Sequence, residues 1–167
     1  MTNFSAQELR WTWEKLWDIS GSNFLKLIKD YNSCGISSTN PIMINKTGDC
    51  AQISCNNITF CNIANETAFK VVLIHELGHI VYHYTGANAM KTEHLNLYKP
   101  SSGSIHAVTS YGATDVTENY PEMLTYYLNP SVSEQTSIKH TNSTIPYSKP
   151  ENADYYQLAN KILCGGT

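Results

Sequence analysis

Apolar residues recur at four-residue spacing near the start of the chain, at Leu9, Trp13 and Trp17, with Leu16 widening the stripe. This period predicts a helix over residues 6–18 with that stripe as its apolar face. Ser5 and, three residues on, Glu8 supply a capping box at its start. After Gly21 the pattern repeats over residues 23–31 through Phe24, Leu25 and Ile28. The period then changes. Residues 41–45, 51–55 and 58–62 read as three short strands joined by turns at residues 46–49 and 56–57. A second long helical run spans residues 66–84 and ends before Gly86. Residues 86–113 mix Gly, Ser, Pro and Asn without a steady period, which predicts a long irregular loop of the kind that carries function. Residues 117–127 are helical again, 130–150 form a second polar loop, and 152–163 a terminal helix.

With no repeat and no second apolar cluster, this pattern predicts one α+β domain over residues 1–167, with helices at both ends. Composition narrows the function classes. The 11 Lys and Arg against 14 Asp and Glu give a net charge of -3, and Arg10 is the single arginine. No basic stripe is present to follow a phosphate backbone, so nucleic acid is not an expected partner. The longest apolar run, Val71 to Ile74, is far too short to span a membrane. The 41% hydrophobic content is ample for a folded core, so disorder is excluded.

Only 15% of residues are charged, and the five cysteines are Cys34, Cys50, Cys55, Cys61 and Cys164. Their intervals do not match a zinc knuckle. A local disulfide stapling two strands, plus one joining Cys34 or the central cluster to Cys164, would suit a secreted protein. The residues up to Trp17 contain no apolar leader, so the chain is expected to be a mature secreted domain whose leader has been removed, the alternative being a cytoplasmic protein. An odd cysteine is left over.

The chemistry concentrates in His75-Glu76-Leu77-Gly78-His79. On a helix the two histidines project from one face, four residues apart, and can chelate one ion. Glu76, one residue off that face, stands beside the ion and can take the proton of an attacking water. Gly78 keeps the helix surface low where another segment must pass. Two histidines leave Zn2+ short of a third protein ligand. Downstream, Glu118 and Glu122 share a face at i,i+4, where two carboxylates repel unless something positive lies between them. This makes Glu118 the candidate third ligand and Glu122 a hydrogen-bond partner for a ligand histidine. A metzincin arrangement is excluded, because Tyr82 and Thr85 occupy the positions where that class needs Gly and His.

HELGH, a tyrosine seven residues before Glu118, the string Thr109-Ser110-Tyr111-Gly112, and Glu122 resemble the gluzincin-type zinc metallopeptidases related to anthrax lethal factor and the secreted Pro-Pro endopeptidases. The resemblance is firm over residues 60–130. It implies a zincin-like fold with a small mixed sheet beside the active-site helix, zinc held by His75, His79 and Glu118, Glu76 as general base and Tyr111 as donor to the oxyanion. It also implies an edge strand that pairs with the substrate backbone, for which Ile58, Thr59, Phe60, Cys61 and Asn62 are the candidates. The expected activity is zinc-dependent endopeptidase hydrolysis of protein or peptide substrates by a secreted monomer. Two other classes fit the composition: a non-catalytic binding module on the same fold, and a toxin-like domain held mainly by disulfides. Retention of Glu76 argues against the binding module, and stability lost on reduction but insensitive to chelation would mark the toxin-like domain.

One position departs from the family pattern. Pro121 stands where alanine is usual, so the helix must either begin close to Glu118 or kink. His83 and His106 are candidates for widening the polar site or touching substrate, while Glu93, His94 and His140 read as surface residues.

Overall fold

A computed structural model describes residues 4–46, 52–60, 63, 65–99, 101, 103–129 and 152–164. Among these residues the elements run α1 (Ala6–Asp18), α2 (Asn23–Tyr31), β1 (Met43–Lys46), β2 (Gln52–Ser54), β3 (Asn57–Phe60), α3 (Glu66–Tyr84), α4 (Lys91–Tyr98), α5 (Val116–Leu128) and α6 (Ala153–Cys164). The fold is α+β, with a small mixed sheet and helices flanking α3.

The capping box forms as its sequence predicts. Ser5 Oγ accepts the Glu8 N–H at 3.2 Å, and Glu8 Oε2 accepts the Ser5 N–H at 2.8 Å. The face of α1 does not follow expectation. Leu9, Trp13 and Trp17 are 57%, 68% and 68% exposed, and α1 buries Glu8, Trp11 and Lys15 instead. Trp11 packs on Phe69 of α3, with ring centres 5.7 Å apart. The two buried charges have partners beyond the helix: Lys46 Nζ lies 2.8 Å from Glu8, and Lys15 Nζ donates to the Leu128 carbonyl. Those contacts are invisible to a local hydrophobic period, and they turn the helix. Trp13 and Trp17 stack on each other at the surface.

The strand order is β1-β3-β2, with β1 parallel and β2 antiparallel to β3. Ile44 and Ile53 both lie opposite Ile58. This overturns the expectation that residues 58–62 form an edge strand. Ile58 and Thr59 lie between β1 and β2 with both backbone edges paired, Phe60 pairs with Lys46 of β1, and Ile58 and Phe60 are buried. Cys61 and Asn62 lie outside the described residues.

Helix α3 is apolar on nearly every side and is buried from Phe69 to Val81 apart from the half-covered Lys70. Asn65 Oδ1 caps its start by accepting the Ala68 N–H. A helix of this kind must be surrounded. Here α1, α2, α5 and the sheet surround it. Helix α5 comes closest at Gly78. A Cβ added there would lie 2.8 Å from both Cα and Cβ of Pro121. The glycine and the proline thus meet, which is why the helix surface has to be low at that position. Pro121 does not sit in a first turn, since α5 begins at Val116 after the Asp115 cap. The helix accommodates it in its second turn.

Residues 86–113 are not one irregular loop. Helix α4 occupies Lys91–Tyr98 within them. It starts from Met90 in the left-handed region (φ 48°) with no side-chain cap, so no local signal announces it. Burial holds it: His94 and Tyr98, one turn apart, turn inward, and His94 packs against Tyr120 and Tyr155.

The disulfide pairing also differs from expectation. Cys34, after α2, bonds Cys55 in the β2–β3 turn, and Cys164 is a free, exposed thiol. The Tyr84 hydroxyl accepts the Cys55 N–H, and its carbonyl accepts the Ser33 N–H, so the end of α3 brings the two halves of the crosslink together. Cys50 and Cys61, and the predicted turn at residues 47–49, lie outside the described residues.

Candidate metal centre

Four residues of spacing on α3 bring the His75 and His79 rings side by side, with their Nε2 atoms 3.1 Å apart. Glu118, in the first turn of α5, aims Oε2 at both, at 3.1 Å from His75 Nε2 and 3.3 Å from His79 Nε2. Ligand atoms of the three residues all lie within 4.8 Å of one another, and His75 and His79 are buried. Glu122, one turn along α5 and fully buried, places Oε1 2.7 Å from His75 Nδ1. A carboxylate only accepts, so Nδ1 carries the proton and the Nε2 lone pair of a neutral His75 faces the cluster. His79 Nδ1 meets no hydrogen-bond partner among the described residues.

These residues fit a divalent cation on their own chemistry. Two imidazole nitrogens and a carboxylate oxygen converge within hydrogen-bond distance, a set of acceptors that calls for positive charge at its centre. Where protons must serve that purpose, the shifts are large. Burial by itself would depress His75, but hydrogen bonds to Glu118 and Glu122 outweigh it and push His75 up to about 9. Burial would likewise raise Glu118, yet its contacts with His75 and His79 hold its carboxyl well below the usual range. Such opposed shifts mark a site built around a charge. The His75, Glu76, His79 and Glu118 cluster matches the generic HExxH type of zinc metalloprotease site.

Glu76 is buried beside these groups and adds to the negative field at His75 and Tyr111. Tyr111 enters from the 3₁₀ turn before α5, with its ring centre 5.9 Å from that of His75. Burial comes first in raising its hydroxyl pKa, followed by the Glu118 charge and a hydrogen bond to Glu118. The phenol therefore stays protonated at any physiological pH.

Other candidates fall outside the cluster. His83 is exposed and stacks on the His79 ring, with centres 5.9 Å apart. His106 packs on Tyr155. Glu93 pairs with Lys161 at the surface, as its sequence context suggests. His94 does not stay at the surface: it is fully buried, its Nε2 lies 3.0 Å from Asn119 Nδ2, and burial pushes its pKa down to about 4. His140 lies outside the described residues.

Thr109 and Asn119, both buried near the site, are not marked in the sequence, and Asn119 is the residue that meets the buried His94. Thr109 Oγ1 donates to Glu122 Oε2, and Asn119 Oδ1 accepts the Val108 N–H. Nothing in residue type or spacing marks them, apart from the place of Thr109 in the Thr109-Ser110-Tyr111-Gly112 string. Comparison of the chain with protein-family models, curated proteins and solved structures gives no match.

Proposed function

We propose that the chain is a zinc-dependent endopeptidase that hydrolyses peptide bonds of protein substrates. The observation that carries this reading is the convergence of His75, His79 and Glu118 with Glu76 buried beside them. When bound, zinc supplies a Lewis acid that acidifies water and polarises a carbonyl. The remaining steps belong to the chain. Glu122 holds the Nδ1 proton of His75 and so keeps its Nε2 lone pair pointed inward. Glu76 takes the proton of the attacking water and returns it to the leaving amine. Tyr111 donates its hydroxyl to the developing oxyanion, a role suited to a phenol that does not ionise near neutral pH.

With β3 internal, β1 and β2 are the edges of the described sheet. An extended substrate would pair along one of them. The site of action is outside the cell, in keeping with a Cys34–Cys55 disulfide that an oxidising compartment maintains. A buried Glu76 favours the peptidase over a binding module, because a structural metal site has no use for a general base.

A peptide library incubated with the protein tests this. Cleavage should disappear on chelation, return with zinc, and be absent in Glu76→Gln while zinc stays bound. Protein purified without chelator that holds no zinc, or near-normal turnover by Glu76→Gln, overturns the proposal.

A further inference from the structure

Thr109 is buried between the candidate metal cluster and the turn that carries Tyr111. Its hydroxyl donates to Glu122 Oε2 at 3.0 Å and accepts the Gly112 N–H at 2.8 Å. The other oxygen of the same carboxylate, Glu122 Oε1, accepts from His75 Nδ1 at 2.7 Å. One chain of hydrogen bonds therefore runs from Gly112 through Thr109 and Glu122 to His75. Its direction is forced at both ends. An amide N–H can only donate and a carboxylate can only accept, so the single threonine proton must point at Glu122. The hydroxyl makes both bonds at once.

The chain spans two parts of the site that the peptide backbone does not join directly. His75 lies on α3, while Gly112 follows Tyr111 in the turn that precedes α5. A second contact seats that turn. Gly112 lies so close to α5 that an added Cβ would approach Asn119 Oδ1 to 2.7 Å and Thr109 Oγ1 to 3.2 Å. Asn119 Oδ1 in turn holds the Val108 N–H at 2.7 Å. The segment is thus pinned on both sides of Tyr111, and one of the pins is shared with a histidine of the cluster.

We propose that Thr109 is a positioning residue that sets Tyr111 in register with the metal cluster by sharing the Glu122 carboxylate with His75. The inference deepens the peptidase reading and rests on it. Thr109 touches neither metal nor substrate; it acts through Glu122 on one side and Gly112 on the other. A threonine that merely satisfied a buried amide would not need the carboxylate as well.

Two single variants separate the hydroxyl from the methyl group. Thr109→Val keeps the shape and removes both hydrogen bonds, and Thr109→Ser keeps the hydroxyl. Zinc affinity is read by chelator competition with zinc as the probe, and kcat and KM are read on a cleaved peptide. Thr109→Val should weaken zinc binding about tenfold, the lower end for an outer-shell partner, and lower kcat by a similar factor with little change in KM. Thr109→Ser should stay close to wild type in both. Because Thr109 acts through Glu122, Thr109→Val combined with Glu122→Gln should bind zinc no more weakly than Glu122→Gln alone. Unchanged zinc affinity and kcat in Thr109→Val overturn the inference, as does additivity in the double variant or a Thr109→Ser protein as impaired as Thr109→Val. A wild-type chain that binds no zinc removes the peptidase reading and this inference together. Zinc binding without peptide cleavage removes only the peptidase reading, and the zinc affinities still decide the role of Thr109.

Discussion

Replacing Gly78 with alanine would test how the candidate site is held together. The new methyl carbon would lie 2.8 Å from Pro121 Cα and 2.8 Å from Pro121 Cβ. Neither atom can swing away, since one is backbone and the other belongs to a closed ring. Ordinary contact needs a separation of about 3.5 Å or more, so α3 and α5 must move apart by roughly 0.7 Å. Overpacking of this kind costs about 1–3 kcal/mol. Better helix propensity returns about 0.8–1 kcal/mol. With rigid atoms on both sides the cost lies in the upper part of its range, so the net loss is about 1–2 kcal/mol. For a domain of this size that lowers Tm by about 2–8 °C.

The displacement matters more for the site than for stability. His75 and His79 ride on α3, and Glu118 and Glu122 on α5, so the same shift stretches the 2.7 Å contact between His75 and Glu122 towards the limit of a hydrogen bond. Zinc affinity should fall about 10–100-fold. Thermal unfolding with and without chelator, together with chelator competition, reads both effects. Changing Pro121 to alanine as well should not restore affinity, because alanine keeps the Cα and Cβ that clash. A Gly78→Ala protein that is more stable than wild type and binds zinc within twofold would show that the Gly78–Pro121 contact does not set the spacing of α3 and α5.

Other perturbations address separate links. Tyr111→Phe should lower kcat by about 10²–10³ from analogous donor deletions, with zinc retained; an unchanged kcat removes the oxyanion role. Cys34→Ser with Cys55→Ser, or reduction, should cost about 3 kcal/mol for a crosslink of this span, measured by denaturant unfolding, and equal stability in reduced and oxidised protein would contradict this. Glu8 is held below its usual pKa: burial works against this, but Lys46 and the Ser5 cap outweigh it. A depressed folded-state pKa stabilises above the unfolded value of 4.5 and loses that effect as pH falls through the folded value. Glu8→Gln should therefore cost about 1–3 kcal/mol at pH 7, and the gap to wild type should close below pH 4.5; a gap that is constant down to pH 3 would rule out the ion pair as its source.

Much of what depends on residues close together along the chain was legible in it. Helix α3 has the bounds its pattern predicts, and the Ser5–Glu8 capping box forms. The i,i+4 spacings put His75 beside His79 and Glu118 one turn from Glu122, because a 3.6-residue period brings such pairs onto one face whatever surrounds them. Even the need for a small residue at Gly78 was legible. Only the tertiary structure decided what depends on partners distant in sequence. It turned α1 so that Trp13 and Trp17 face outward, since Glu8 and Lys15 found partners on β1 and α5. It put β3 between two strands, paired Cys34 with Cys55, and made a helix of Lys91–Tyr98 by burying His94. It also joined Thr109 to Glu122, a contact between side chains thirteen residues apart. Local periodicity reports which face a residue shares, whereas burial and hydrogen-bond satisfaction across elements decide what that face meets.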